Sequence, residues 1–264
     1  MDSTYYFPWP KRNTRPGPPR FWEVDYCRGI AVFMMILFHT VFDLAYFGVF
    51  PIDVNSGPWK SLAICTASLF LLLVGISLTL SGARAYRVMD RRSFLIKYLR
   101  RGGGIMVLGL LITLVTLVMA PGEPILFGIL HLIGLSVMIS PLFLRHPWEC
   151  LAAAMVIIPS GWIISGIPGP LWLAWLGVHP QHFASLDYTP LLPWIGVVFI
   201  GVFLGHLLYP DGERRYQMPE NPVPGKKAIS LIGRHSLAIY VLHQPVLLLM
   251  ISILFSISVL PAGL

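Results

Sequence analysis

The chain has 264 residues, 56% of them apolar and only 12% charged, where a soluble domain carries roughly a quarter charged residues. With a mean hydropathy of +0.72 and several apolar runs near the roughly 20 residues that cross a bilayer, this excludes a secreted disulfide scaffold, a disordered chain and a nucleic-acid-binding domain. The net charge of +7 is read as topology, because Lys and Arg in a polytopic membrane protein report the cytoplasmic side.

Residues 1–20 hold five prolines and no apolar core, so they read as a basic tail near the lipid surface and not as a cleavable signal. Residues 21–264 read as one transmembrane domain. Seven apolar stretches follow, at about 27–50, 61–81, 103–120, 125–144, 150–166, 190–209 and 236–260. Each is expected to be a helix, since backbone groups in lipid must be satisfied within their own segment. The fifth contains Pro159, tolerated as a kink. The expected fold is therefore all-α, a transmembrane helical bundle of about seven spans. Of the 19 Lys and Arg, all but Lys60 fall at or before the first span or in the connections after the second, fourth and sixth. That split puts the N-terminus in the cytoplasm and, with seven spans, the C-terminus outside a cell membrane that the chain crosses many times.

Cys27, Cys65 and Cys150 have no CxxC spacing and read as packing residues. No period of 20 to 50 residues repeats. Between the fifth and sixth spans, residues 167–188 lack Lys and Arg but contain Trp172, Trp175, His179, His182 and Asp187. Two readings stand: a re-entrant cap over a site, or an interfacial loop anchored by its tryptophans.

Ionisable groups inside a membrane are costly, so each is a functional candidate. Asp25, Arg28, His39 and Asp43 fall on or just before the first span, and at 100° per residue all four lie within about 40° of one line along the helix. Arg28 and His39 are about 16 Å apart along the axis. A guanidinium can hold a coenzyme phosphate at the mouth while an imidazole meets a thioester at mid-membrane. The alternative is that Arg28 snorkels to lipid headgroups and His39 bonds to a neighbouring helix. His131, His206 and His243 lie on other spans, where a bundle-interior hydrogen bond is the plain alternative to a functional role.

The stretches EVDYCRGIAVFMMILFHTVFDLAYFG, LFLLLVGISLTLS, FGILHLIGLS, DYTPLLPWIGVVFIGVFLG and GRHSLAIYVLHQPV resemble the catalytic domain of the heparan-alpha-glucosaminide N-acetyltransferase family and its prokaryotic relatives, over nearly the whole chain. The resemblance implies transfer of an acyl group from cytoplasmic acetyl-CoA to a hydroxyl or amine of a glycan-type acceptor. Acetyl-CoA is then a co-substrate, with no permanently bound cofactor and no metal; the partners are acetyl-CoA, a small acceptor and the bilayer, with no nucleic acid and with a homodimer left open. Asp25, Arg28 and Gly29 match the family's opening motif and imply coenzyme binding. His39 matches the histidine of the wider acyltransferase superfamily, and His131, Asp187 and His243 fall inside the later motifs as substrate-binding candidates. One departure is that lysosomal members carry a functional histidine in the loop after this first helix, whereas no histidine lies between His39 and His131 here.

Acyl transfer from a thioester needs a base for the acceptor, and His39 is expected to serve, with Asp43 at i+4 orienting the imidazole. A covalent acyl-His39 intermediate is the second route. Two other classes remain: a transporter that uses His39 and Asp43 as a proton relay, and a membrane haem protein with His206 and His243 as axial ligands.

Overall fold

The structure, a computed structural model, describes residues 20–218 and 223–255. The basic tail at 1–19 and the end of the last apolar stretch lie outside them. Every apolar stretch is helical, and among the described residues there is no strand. The helices are α1 (Trp22–Tyr46), α2 (Gly57–Val88), α3 (Arg91–Met119), α4 (Ile129–Ile139), α5 (Pro147–Ile164), α6 (Leu191–Leu208), α7 (Lys226–Arg234) and α8 (Ser236–Phe255). Five of these, α1, α2, α3, α6 and α8, are long and apolar enough to cross a membrane, while α4 and α5 belong to shorter apolar segments. Of about seven expected spans, five thus have full spanning length. α2 runs past its expected end to Val88 and α3 starts before its expected beginning, at Arg91; Asp90 caps α3 by accepting from the backbone N–H groups of Arg92 (3.1 Å) and Ser93 (3.3 Å), leaving two residues between the helices.

The outer surface is apolar in a way water does not tolerate. On α3, Leu110, Leu111, Leu114, Val115 and Val118 are all more than half exposed, a contiguous patch that acyl chains cover in an integral membrane protein. With lipid as solvent, helices associate through close packing and small residues. At the centre α2 crosses α6 at Gly75 and Gly201, where a Cβ on either would overlap the backbone of the other helix. Thr79 reinforces the crossing by donating to the Val202 carbonyl (3.3 Å). α3 meets α4 in the same manner, since a Cβ on Gly102 would stand 2.6 Å from the Gly134 carbonyl oxygen. Leu71, Leu78, Leu132, Val198 and Val202 fill the core between these pairs.

α1 is gripped by α2, α7 and α8. α7, absent from the sequence expectations, packs on α1 through Gly29 and Gly233; a Cβ on Gly233 would collide with the Asp25 backbone carbonyl. The segment after α6 is tied to the same end. Arg214 donates twice to the Glu23 carboxylate (2.8 Å each), and Tyr209 donates to it as well (3.1 Å). At the opposite end, the long connection between α5 and α6 is pinned to the α3–α4 turn: Leu186 N–H donates to the Glu123 carbonyl and Thr189 N–H to that of Phe127.

Candidate functional site

Close packing of α7 on α1 brings Arg234 to the first turns of α1, where the buried Asp25 collects three guanidiniums. Arg20 lies at 2.8 Å, Arg28 at 2.9 Å and Arg234 at 3.4 Å. Arg28 also donates to Ser77 Oγ on α2 (2.8 Å) and to the Gly233 carbonyl (3.5 Å), so its planar fork spans three helices. These arginines form one wall of a cavity of about 850 Å³. Arg84 from α2 and Arg100 and Arg101 from α3 complete the rim, making six arginines around one opening. Beyond the rim the lining turns apolar, with Leu73, Val74, Leu78, Ile105 and Ile133, and it ends on Ile129, Leu130 and Tyr240. A basic rim over an apolar shaft suits a ligand with an anionic head and an apolar arm. Arg28 was expected at such a mouth; Asp25, expected as a coenzyme contact, is placed as the counter-ion that holds the arginines in position.

Tyr240 joins the cavity to two polar clusters. Its hydroxyl donates to Asp187 Oδ2 (3.4 Å), which also accepts from the Ile129 backbone N–H at the start of α4 (3.2 Å); Asp187 Oδ1 accepts from Thr189 (2.9 Å). Asp187, at the end of the long connection, therefore caps α4 and fixes the tyrosine. Of the two readings for this connection, its last residues close over the bundle, while Trp172 and Trp175 in its first half are exposed. His131 lies behind Asp187. The Gly128 N–H donates to its Nδ1 (3.2 Å), so in the neutral ring Nε2 carries the proton and faces Thr113 Oγ1 (3.3 Å), which in turn donates to the Ile125 carbonyl (2.6 Å). Every polar atom of this imidazole is thus used to hold the α3–α4 turn.

The other cluster lies between α1 and α8. The His39 and His243 rings stand 4.8 Å apart, and the His243 ring is 5.6 Å from that of Tyr240 one turn earlier on α8. Asp43 is buried, but no hydrogen bond joins it to His39 among the described residues; its Oδ1 accepts from Gln244 Nε2 of α8 (2.7 Å). The i+4 spacing puts Asp43 on the right face, and the closer approach of α8 decides its partner. His206, by contrast, is turned toward its own helix, with Nδ1 3.0 Å from the Val202 carbonyl, in a separate pocket with Tyr86 and Arg145. His206 and His243 are not brought together.

Residues 20–245 match the family described as heparan-alpha-glucosaminide N-acetyltransferase, catalytic. The chain matches no curated protein and no solved structure. With the match covering most of its length, the chain belongs to that family, and is an integral membrane transferase of the acetyltransferase class.

Proposed function

We propose that this member of the family takes an acetyl group from acetyl-CoA at its arginine-rich end and passes it to a hydroxyl or amine of a sugar- or glycan-type acceptor inside the bundle. The observation that carries this reading is the cavity of about 850 Å³ rimmed by six arginines and walled by apolar side chains. Coenzyme A presents phosphates at one end and, at the other, a thin uncharged arm whose methylene and methyl groups are interrupted by two amides and a hydroxyl. Charge-assisted, often bidentate bonds from guanidiniums suit the phosphates, and the shaft toward Tyr240 suits the arm. The excess of Lys and Arg at this end supports a cytoplasmic orientation for it, the side on which acetyl-CoA is made and used.

The chemistry needs one positioned base. The acceptor lone pair attacks the thioester carbonyl, a new O–C or N–C bond forms, and the C–S bond breaks with its electron pair leaving on sulfur. The acceptor proton passes to the imidazole pair His39 and His243 and then to the thiolate, giving free CoA and acetylated acceptor. Asp43 helps hold α8 against α1 by accepting from Gln244. A covalent acetyl-imidazole would split the same transfer into two steps.

The test is incubation of the purified protein with acetyl-CoA labelled in the acetyl group, followed by separation of protein, acetate and small acceptors. Label on an added acceptor, with release of free CoA, is the expected result. Label that crosses a vesicle membrane as intact acetyl-CoA, or that never leaves it, rules the reading out.

A further inference from the structure

The cavity of about 850 Å³ is walled in part by two helices that do not close it. Gly104, Ile105 and Leu108 of α3 and Leu237 and Tyr240 of α8 all line it, yet α3 packs on α4, and α8 on α1 and α7, with no packed pair formed between α3 and α8 among the described residues. The neighbouring flank is tied: Lys97 of α3 donates to Ser81 Oγ of α2 (3.2 Å), and the Tyr86 and Phe94 rings stack at 4.4 Å. On the open flank the lip of α3 is an exposed glycine, Gly104, where an added Cβ would have nothing within 4 Å. On α8, Leu237 is 42% exposed although it lines the cavity. Gly104, Leu108 and Leu111 recur along one face of α3, and Leu111 belongs to the patch that acyl chains cover. The cavity wall thus runs into the lipid-facing surface without a polar break. Arg101 stands one turn before Gly104 and two before Leu108, so these lips lie about 5 to 10 Å deeper along α3 than the arginine rim.

We infer that the donor site has no end wall for the acyl group: besides acetyl-CoA it takes straight-chain acyl-CoA thioesters up to at least octanoyl-CoA, the tail leaving between α3 and α8 into the bilayer. This rests on the acetyl-transfer reading above, in which the arginine rim holds the coenzyme phosphates and the shaft holds the arm. With the phosphates fixed at the rim, a longer tail needs an apolar exit deeper in the shaft, and the lips at Leu108, Leu237 and Tyr240 supply one. A closed hydrophobic pocket penalises an extra methylene by about tenfold or more, because packed side chains do not make room. A tail that passes into lipid meets no such wall, and each methylene taken out of water favours binding about fourfold. The bonds exchanged are those of acetyl transfer. The acyl carbon bonds to the acceptor oxygen or nitrogen, the C–S electron pair leaves on CoA sulfur, and the acceptor proton ends on the thiolate.

The full-length chain in nanodiscs is titrated with acetyl-, butyryl-, hexanoyl- and octanoyl-CoA, each competing against labelled CoA, with empty nanodiscs correcting for partition into lipid. The expected Kd for octanoyl-CoA is tighter than that for acetyl-CoA or within about threefold of it. Octanoyl-CoA with a photoreactive diazirine at the end of its tail should label residues 104–108 or 237–240. Gly104→Phe, placed in open space on the lip, should raise the ratio of octanoyl to acetyl Kd by about tenfold or more. Octanoyl-CoA bound more than about threefold more weakly than acetyl-CoA overturns the inference. So does label confined to nanodisc lipid, which assigns the gap to a phospholipid chain, or a folded Gly104→Phe protein with an unchanged ratio. The first two results need only the unmodified chain, so a Gly104→Phe protein that does not fold leaves the test standing. Absence of binding by both free CoA and acetyl-CoA is a different failure: it removes the acetyl-transfer reading itself, and the inference with it.

Discussion

His131 shows how a membrane histidine can be fully occupied by its fold. Its Nδ1 takes the Gly128 N–H and its Nε2 faces Thr113, so His131→Ala strands a backbone donor and a hydroxyl in the bundle. The expected cost is about 1–3 kcal/mol of stability, seen as a lower melting temperature, with the Kd for acetyl-CoA unchanged. Arg28 and His39 should behave otherwise. Arg28→Ala is expected to weaken acetyl-CoA binding about 10- to 100-fold, the loss of a charge-assisted contact. Arg28→Lys should restore only part, because an ammonium cannot span Asp25 and Ser77 as the planar fork does. His39→Ala should leave that affinity in place and lower single-turnover transfer by about 10²- to 10⁴-fold. The one-face alignment of Asp25, Arg28, His39 and Asp43 was legible because a single helix has a known period. Gln244 and Tyr240 were not: a glutamine and a tyrosine inside an apolar run gain meaning only from what another helix sets against them. The missed rim arginines carried a signal, the RRGGG run at residues 100–104 within α3, that charge counting absorbed as topology.

Among the elements, α7 was the least visible. Its nine residues are too few and too basic for an apolar-run search, and their amphipathic face finds its partner only once α1 is in place. The helix matters because it delivers Arg234 to Asp25, and that delivery depends on two glycines in contact. Gly233→Ala would push a methyl group into the Asp25 carbonyl, which is backbone and cannot step aside. The variant should lose about 1–3 kcal/mol, as overpacked sites do, and should bind acetyl-CoA more weakly than wild type although no arginine has been removed. Unchanged affinity in a folded Gly233→Ala protein would show that α7 does not set the geometry of the rim. The apolar centres of the long helices were legible, since about 20 apolar residues in lipid have few alternatives, but the polar ends of α2 and α3, which run to Val88 and start at Arg91, were not. α4 fell short of its expected stretch because its first residues form the turn that His131 and Asp187 hold, something no hydropathy window contains.

At the scale of the whole molecule, the ends of α1, α2, α3 and α7 that carry arginine converge on one opening, an arrangement that alternating helix directions require. Reporter fusions between α2 and α3 are expected to read as cytoplasmic and fusions after α8 as external. Cytoplasmic signals from both would break the orientation, and the assignment of the opening to the acetyl-CoA side with it. The composition already announced a membrane bundle; which helices touch, and therefore which polar groups meet, depended on small residues such as Gly75, Gly201, Gly29 and Gly233, whose pairing no single-helix pattern reveals.

The rim of six arginines also bears on what limits turnover. If, as proposed, its guanidiniums grip the phosphates of acetyl-CoA, which the reaction leaves untouched, free CoA would fit the opening as well as acetyl-CoA does. Binding that is equal for substrate and product lowers KM without speeding the chemistry, and it delays departure of the spent donor. Rapid-quench experiments should therefore show a burst of acetylated acceptor followed by a slower steady state governed by CoA release. Free CoA should inhibit competitively against acetyl-CoA, with an inhibition constant within about threefold of the acetyl-CoA Kd. The enzyme would then answer to the ratio of acetylated to free coenzyme in the cell more than to the amount of either.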